Sequence, residues 1–122
     1  MGKMSRNKGK RGEYEARDFL RRWFPGAQRG ANQSRSGSAS ADVEGTPFWV
    51  ESKLGAKPSV RAALGQAKSA SVVDGRPVLV YLRDDFSEPF FAMPAETLHR
   101  LLDKAYGPTL IDIFQTEAKR GS

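Results

Sequence analysis

Two carboxylates and an amine stand in this sequence at a spacing that can do chemistry on a phosphate. In the segment ADVEGTPFWVESKLG, Asp42 lies nine positions before Glu51, and Glu51-Ser52-Lys53 follows without a break. Side chains two apart on a strand share a face, so Glu51 and Lys53 point the same way, and pairing across a hairpin can bring Asp42 alongside them. Hard divalent cations such as Mg²⁺ take oxygen ligands and keep several waters. Asp42, Glu51 and the backbone carbonyl of Ser52 could therefore supply part of an octahedral site. Lys53 could position or deprotonate an attacking water, or stabilise charge developing on a phosphate oxygen, as phosphodiester hydrolysis requires. The competing reading is an exposed Glu51–Lys53 ion pair on a strand, which contributes little. Trp49 shares the Glu51 face and reads as packing, whereas Phe48, Val50 and Ser52 point to the other side.

Composition narrows the chemistry further. With 122 residues, 39% hydrophobic and 28% charged, the chain is sized for a single domain. The absence of cysteine excludes disulfides, thiolate zinc sites and Cys nucleophiles. The single histidine, His99, cannot build a His-rich metal site, and it falls on an amphipathic helix remote from the Asp42 segment. Any metal would rest on carboxylates. No apolar run approaches the roughly eighteen residues needed to span a bilayer, and the basic N-terminus is not followed by an apolar stretch. The expectation is a soluble cytoplasmic protein with no membrane partner.

The formal charge is +6 and the isoelectric point about 9.9, which points to a polyanionic partner. The excess is unevenly placed. Residues 1–40 carry ten Lys or Arg against three acids, a net of +7, and the remainder carries ten against eleven. Met1 to Arg11 holds five positive charges and no negative one, and it is expected as a flexible basic arm ahead of a single domain over 12–122. The alternative for that arm is a solubilising tail.

Positioning the acids requires a small α/β domain, a central mixed sheet flanked by helices. Ala16, Phe19, Leu20 and Trp23 recur at helical spacing from Gly12 to the Pro25-Gly26 stop. Residues 26–41 are rich in Gly, Ser and Asn and read as a loop, with a short weak strand near Gln28 to Ser34. A hairpin follows, Ala41 to Glu44 and Phe48 to Leu54 around Gly45-Thr46-Pro47. Ser59 can cap a helix to about Val73, with Val60, Ala63, Leu64 and Ala67 inward. Pro77 to Leu82 reads as a central strand covered on both faces, and Pro89 to Met93 as its neighbour. Pro94 opens a helix to about Ala105 with Leu98, Leu101 and Leu102 inward, and Leu110 to Phe114 offers a last strand.

In this setting the chain resembles the PD-(D/E)xK nuclease superfamily. Asp42 and Glu51-Ser52-Lys53 match its signature, with Ala41 where the signature has proline. More narrowly, residues 8 to 54 resemble the archaeal-type Holliday junction resolvases and their phage relatives. Lys8-Gly9 leads into Gly12-Glu13-Tyr14-Glu15, and Arg35-Ser36-Gly37-Ser38 precedes the aspartate. The resemblance implies a small restriction-endonuclease-like fold. It implies an Mg²⁺-dependent endodeoxyribonuclease, with Mn²⁺ able to substitute, that cuts four-way DNA junctions as a homodimer in DNA recombination and repair. It makes Glu13, Asp42 and Glu51 acidic ligands, with Ser52 through its carbonyl, and Lys53 the catalytic lysine. Glu13 is preferred to Glu15 because its spacing to Phe19 and Leu20 fits the family's helix register. Gln66 is a further candidate, since related nucleases place a glutamine on the helix after the E-x-K strand; a plain surface glutamine is the alternative. Lys3, Arg6, Lys8, Lys10, Arg11, Arg29, Arg35, Ser36, Lys57, Arg61 and Lys68 would hold DNA phosphates with little base readout.

Overall fold

A computed structural model describes residues 2–30, 40–55, 59–84 and 88–107, with side chains from residue 9 onward. Within them the chain forms α1 (Gly2–Leu20), β1 (Gln28–Arg29), β2 (Val43–Glu44), β3 (Trp49–Leu54), α2 (Val60–Ser71), β4 (Val78–Arg83), β5 (Phe90–Ala92) and α3 (Ala95–Tyr106). The five strands make one mixed sheet in chain order, antiparallel throughout except for the parallel β3–β4 pair. The expected α/β class with a mixed sheet and flanking helices is therefore what folds. The strand expected over Leu110 to Phe114 lies outside the described residues.

Strand alternation divides the core in two. Phe48, Val50, Leu79 and Tyr81 face α1, where they pack with Ala16, Leu20, Ala27 and Val43. Trp49, Val78, Val80 and Leu82 face α2, packing with Ala41, Ala63 and Ala67. β4 is buried from Val78 to Leu82 and covered on both faces, as its continuous apolar run predicts. It is not the middle strand, however: β3 holds that place. β3 loses its cover toward its C-terminal end, where Glu51 to Leu54 are only half-buried.

Three expectations about the helices are corrected. First, α1 starts at Gly2, not Gly12, so the backbone of residues 2–11, expected as a flexible arm, continues the same helix. Second, its inward stripe is Gly12–Ala16–Leu20, while Phe19 and Trp23 are 38% and 59% exposed. The helix comes close to the sheet at Gly12, where an added Cβ would meet Leu54 Cβ and Ser52 Oγ at 3.3 Å. The close approach is confined to Gly12, Leu20 fills the space further along that side, and the helix ends before Trp23. Third, α3 turns Thr97 and Leu101 inward and leaves Leu98 and Leu102 about half exposed. The Thr97 hydroxyl donates to the Val78 carbonyl at 2.6 Å, so a polar residue is buried without penalty and sets the helix rotation. Hydropathy cannot register that preference. α2 matches expectation, with Ala63 and Ala67 buried, Val60 and Leu64 packed beside them, and the Ser59 side chain accepting from Ala62 N–H.

Two glycines hold the hairpin in place. Gly45 has φ +84°, and a Cβ there would fall 2.3 Å from the Gly26 carbonyl oxygen. Gly30 donates to the Asp42 carbonyl, and a Cβ on it would overlap the Ala41 carbonyl. Only glycine permits the end of β1 to lie this close to the segment that carries Asp42 into β2.

Candidate active site

The hairpin register sets the site. Val43 pairs with Val50 in antiparallel fashion, which places Asp42 opposite Glu51 on the α2 side of the sheet. Asp42 N–H donates to the Val50 carbonyl at 2.8 Å. One step further the ladder changes character: Ser52 N–H donates to the Asp42 carboxylate at 2.9 Å instead of to a backbone carbonyl. The side chain thus takes over from the strand, and β2 and β3 part. The opening is a cleft of about 280 Å³ lined by Ser40, Asp42, Trp49, Glu51, Lys53, Gln66 and Ala70.

Burial governs the electrostatics of this cleft. Asp42 is pushed up to about 7, first by its removal from water and then by the negative charge of Glu51 beside it. The Ser52 N–H and Lys53 pull the other way without offsetting that penalty. Two carboxylates held side by side in a part-buried cleft carry a charge that a cation would neutralise. Both offer hard oxygen donors, which suits Mg²⁺ or Mn²⁺. Asp42, Glu51 and the Ser52 carbonyl could hold such an ion. Lys53, two residues along the same strand face, adds a cation to the rim.

Glu51 is fixed by a partner that the sequence alone did not assign. The indole N–H of Trp49, a side chain only 2% exposed, donates to Glu51 Oε1 at 3.0 Å. The Arg76 guanidinium lies over the Trp49 ring, 5.2 Å from its centroid. Arg76 is itself held by Glu44 at 2.7 Å, by Asp74 and by the Phe48 carbonyl. The shared face of Trp49 and Glu51 was legible; the hydrogen bond required the rotamers.

The acids of α1 are engaged elsewhere. Glu13, expected as a ligand, forms an ion pair with Arg29 of β1, with Nε and Nη2 both 2.8 Å from Oε2. It sits on the helix that covers the opposite face of the sheet and does not line the cleft. Among the described residues no cluster of three or more acidic or His side chains could hold a metal. Glu15 is bound on both oxygens by Arg83, at 2.8 and 2.7 Å, and also accepts from the Tyr81 hydroxyl at 2.8 Å. The Arg83 contact holds the Glu15 carboxyl below its usual range, while burial and then Glu15 push Tyr81 up to about 12. Glu15 therefore ties α1 to β4.

Of the residues expected to hold DNA, Gln66 lines the cleft. Lys10, Arg11, Arg61 and Lys68 are exposed. Arg29 is committed to Glu13 and also lies over the Tyr14 ring at 5.0 Å. Lys3, Arg6 and Lys8 fall on the first turns of α1, and their side chains are outside the described set, as are Arg35, Ser36 and Lys57 altogether. Among the described residues no helix is long and apolar enough to cross a membrane. Comparison of the chain with protein-family models, with curated proteins and with solved structures found no significant match in any of the three.

Proposed function

We propose that this chain is a divalent-metal-dependent endodeoxyribonuclease that cuts four-way DNA junctions as a homodimer. The observation that carries the reading is the cross-strand pair of Asp42 with Glu51, with Lys53 and Gln66 on the same cleft. Bound there, Mg²⁺ would supply Lewis-acid activation of the scissile phosphate and of water. Asp42 and Glu51 hold the ion, and Glu51 is kept in orientation by Trp49. Lys53 places a positive charge where a phosphate oxygen gains negative charge, and Gln66 can donate to a neighbouring phosphate. The exposed Lys10, Arg11, Arg61 and Lys68 supply non-specific attraction to the DNA backbone. A junction presents two symmetry-related scissile positions, which suits a two-fold dimer.

The test is cleavage of matched four-way, flap and linear duplexes by purified protein with Mg²⁺, Mn²⁺ or chelator. Junction-selective, metal-dependent cutting is expected, with loss of at least about 100-fold in rate for Lys53→Met. Equal cutting of all three substrates would remove the junction assignment and leave a nuclease for linear or flapped DNA. One observation favours a different reading, a basic DNA-binding module without catalysis: the third acid, Glu13, is spent on Arg29. Junction binding without cutting under any divalent metal would establish that module instead.

A further inference from the structure

The Trp49–Glu51 contact carries an inference beyond the ligands themselves. Three rotatable bonds set the carboxylate plane of Glu51, and on a half-buried strand end nothing in the backbone fixes that plane. The indole N–H at 3.0 Å from Oε1 does. Trp49 is itself immobile: it is packed among Ala41, Ala63, Ala67, Val78 and Val80, with the Arg76 guanidinium over its ring. Arg76 joins three segments that meet here, through Glu44 of β2, the Phe48 carbonyl before β3, and Asp74 in the turn after α2. Glu44 in turn accepts from the Ala41 N–H at 2.8 Å, next to Asp42. The same salt-bridged unit therefore steadies the backbone before one carboxylate and the indole that orients the other.

We propose that Trp49 is a positioning residue, whose N–H fixes the carboxylate plane of Glu51 beside Asp42 and so presets the cleft to receive a divalent cation. This rests on the nuclease reading for the identity of its cation. Removing a hydrogen-bond partner behind a metal-binding carboxylate typically weakens metal affinity by about ten- to a hundred-fold. The loss should appear in metal binding and in the metal concentration that half-saturates cleavage, with the rate at saturating metal nearly preserved.

The experiment uses ¹⁵N-labelled full-length protein, in which the only two indole N–H signals are those of Trp23 and Trp49, assigned with Trp23→Phe. In metal-free protein, Glu51→Gln should move the Trp49 indole proton upfield and leave Trp23 unmoved. Titration of wild type with Mg²⁺ should shift the Trp49 signal along a saturable curve. Trp49→Phe, which keeps a ring under Arg76 but lacks the N–H, should bind Mn²⁺ at least about tenfold more weakly by calorimetry. If that variant does not fold, the indole measurements on Trp49-containing protein still decide. A Trp49 signal indifferent to both Glu51→Gln and Mg²⁺, or wild-type Mn²⁺ affinity in folded Trp49→Phe, overturns the role. Mn²⁺ binding with the expected indole shift but no DNA cutting overturns the nuclease reading alone, and absence of Mn²⁺ binding overturns both.

Discussion

Asp42→Asn should make the metal-free protein more stable while abolishing its cleavage of DNA. Asp42 is raised from an ordinary 3.8 to about 7 by burial and by Glu51. The folded state therefore binds this proton more tightly than the unfolded chain does. The contribution of Asp42 to stability is accordingly greatest below about pH 4, declines as pH rises through the window up to about 7, and stays low above it. Each pH unit of displacement corresponds to about 1.4 kcal/mol, so the shift from 3.8 to about 7 sets an upper bound on the order of 4 kcal/mol for ionising Asp42 in the folded protein at pH 8. Asparagine carries no charge, and its carbonyl oxygen can still accept the Ser52 N–H that Asp42 accepts at 2.9 Å. Urea denaturation with chelator present should then show Asp42→Asn stabilised by about 2–3 kcal/mol at pH 8 and by roughly nothing at pH 4. A melting-temperature rise of about 8 °C at pH 8 is the thermal counterpart. Adding Mg²⁺ should narrow the difference by stabilising the wild type alone. A variant no more stable than wild type at pH 8, or equally stabilised at both pH values, would refute the claim that two unneutralised carboxylates strain this cleft.

Three further substitutions test how the site is held in place. Glu15→Gln should cost about 1–3 kcal/mol at pH 7 in urea denaturation, because it breaks the two-point contact with Arg83. Since Arg83 depresses Glu15, the wild type's advantage should be present above the ordinary carboxylate range and shrink as pH falls through the depressed folded value. Thr97→Val keeps the volume but removes the donor to the Val78 carbonyl, and should lower stability by about 1–2 kcal/mol. Gly45→Ala meets both a positive φ and the Gly26 carbonyl, so it should destabilise by more than about 1 kcal/mol, and a melting temperature equal to wild type would contradict the close approach.

Much of the scaffold was legible because its local and tertiary preferences agree. The apolar run from Val78 to Leu82 wants burial on both faces and finds it, and Ala63 and Ala67 lie on the inward side of a helix capped where Ser59 predicts. Where a reading went astray, the deciding interaction was invisible to hydropathy. Thr97 displaced Leu98 and Leu102 from the inner side of α3 through a hydroxyl–carbonyl hydrogen bond. On α1 the buried positions fall on Gly12, Ala16 and Leu20, with the helix close to the sheet at Gly12, and Phe19 is left at the margin. The site was legible in the same measure. Period-two alternation places Glu51 and Lys53 together, and the hairpin turn brings Asp42 across from them.

The sequence by itself determined the pieces that follow from period and composition: a cysteine-free α/β chain, its basic excess gathered in the first forty residues, and two acids and a lysine on one hairpin face. Only the tertiary structure decided the allegiance of the remaining charged groups. Glu13 faces Arg29, Glu15 faces Arg83, and Glu51 answers to the indole of Trp49. Each pairing depends on which side chains the packed sheet and helices bring within about 3 Å. Hydrogen-bond geometry acts only over that range, and partners far apart in the chain, such as Glu15 and Arg83, meet there only after folding.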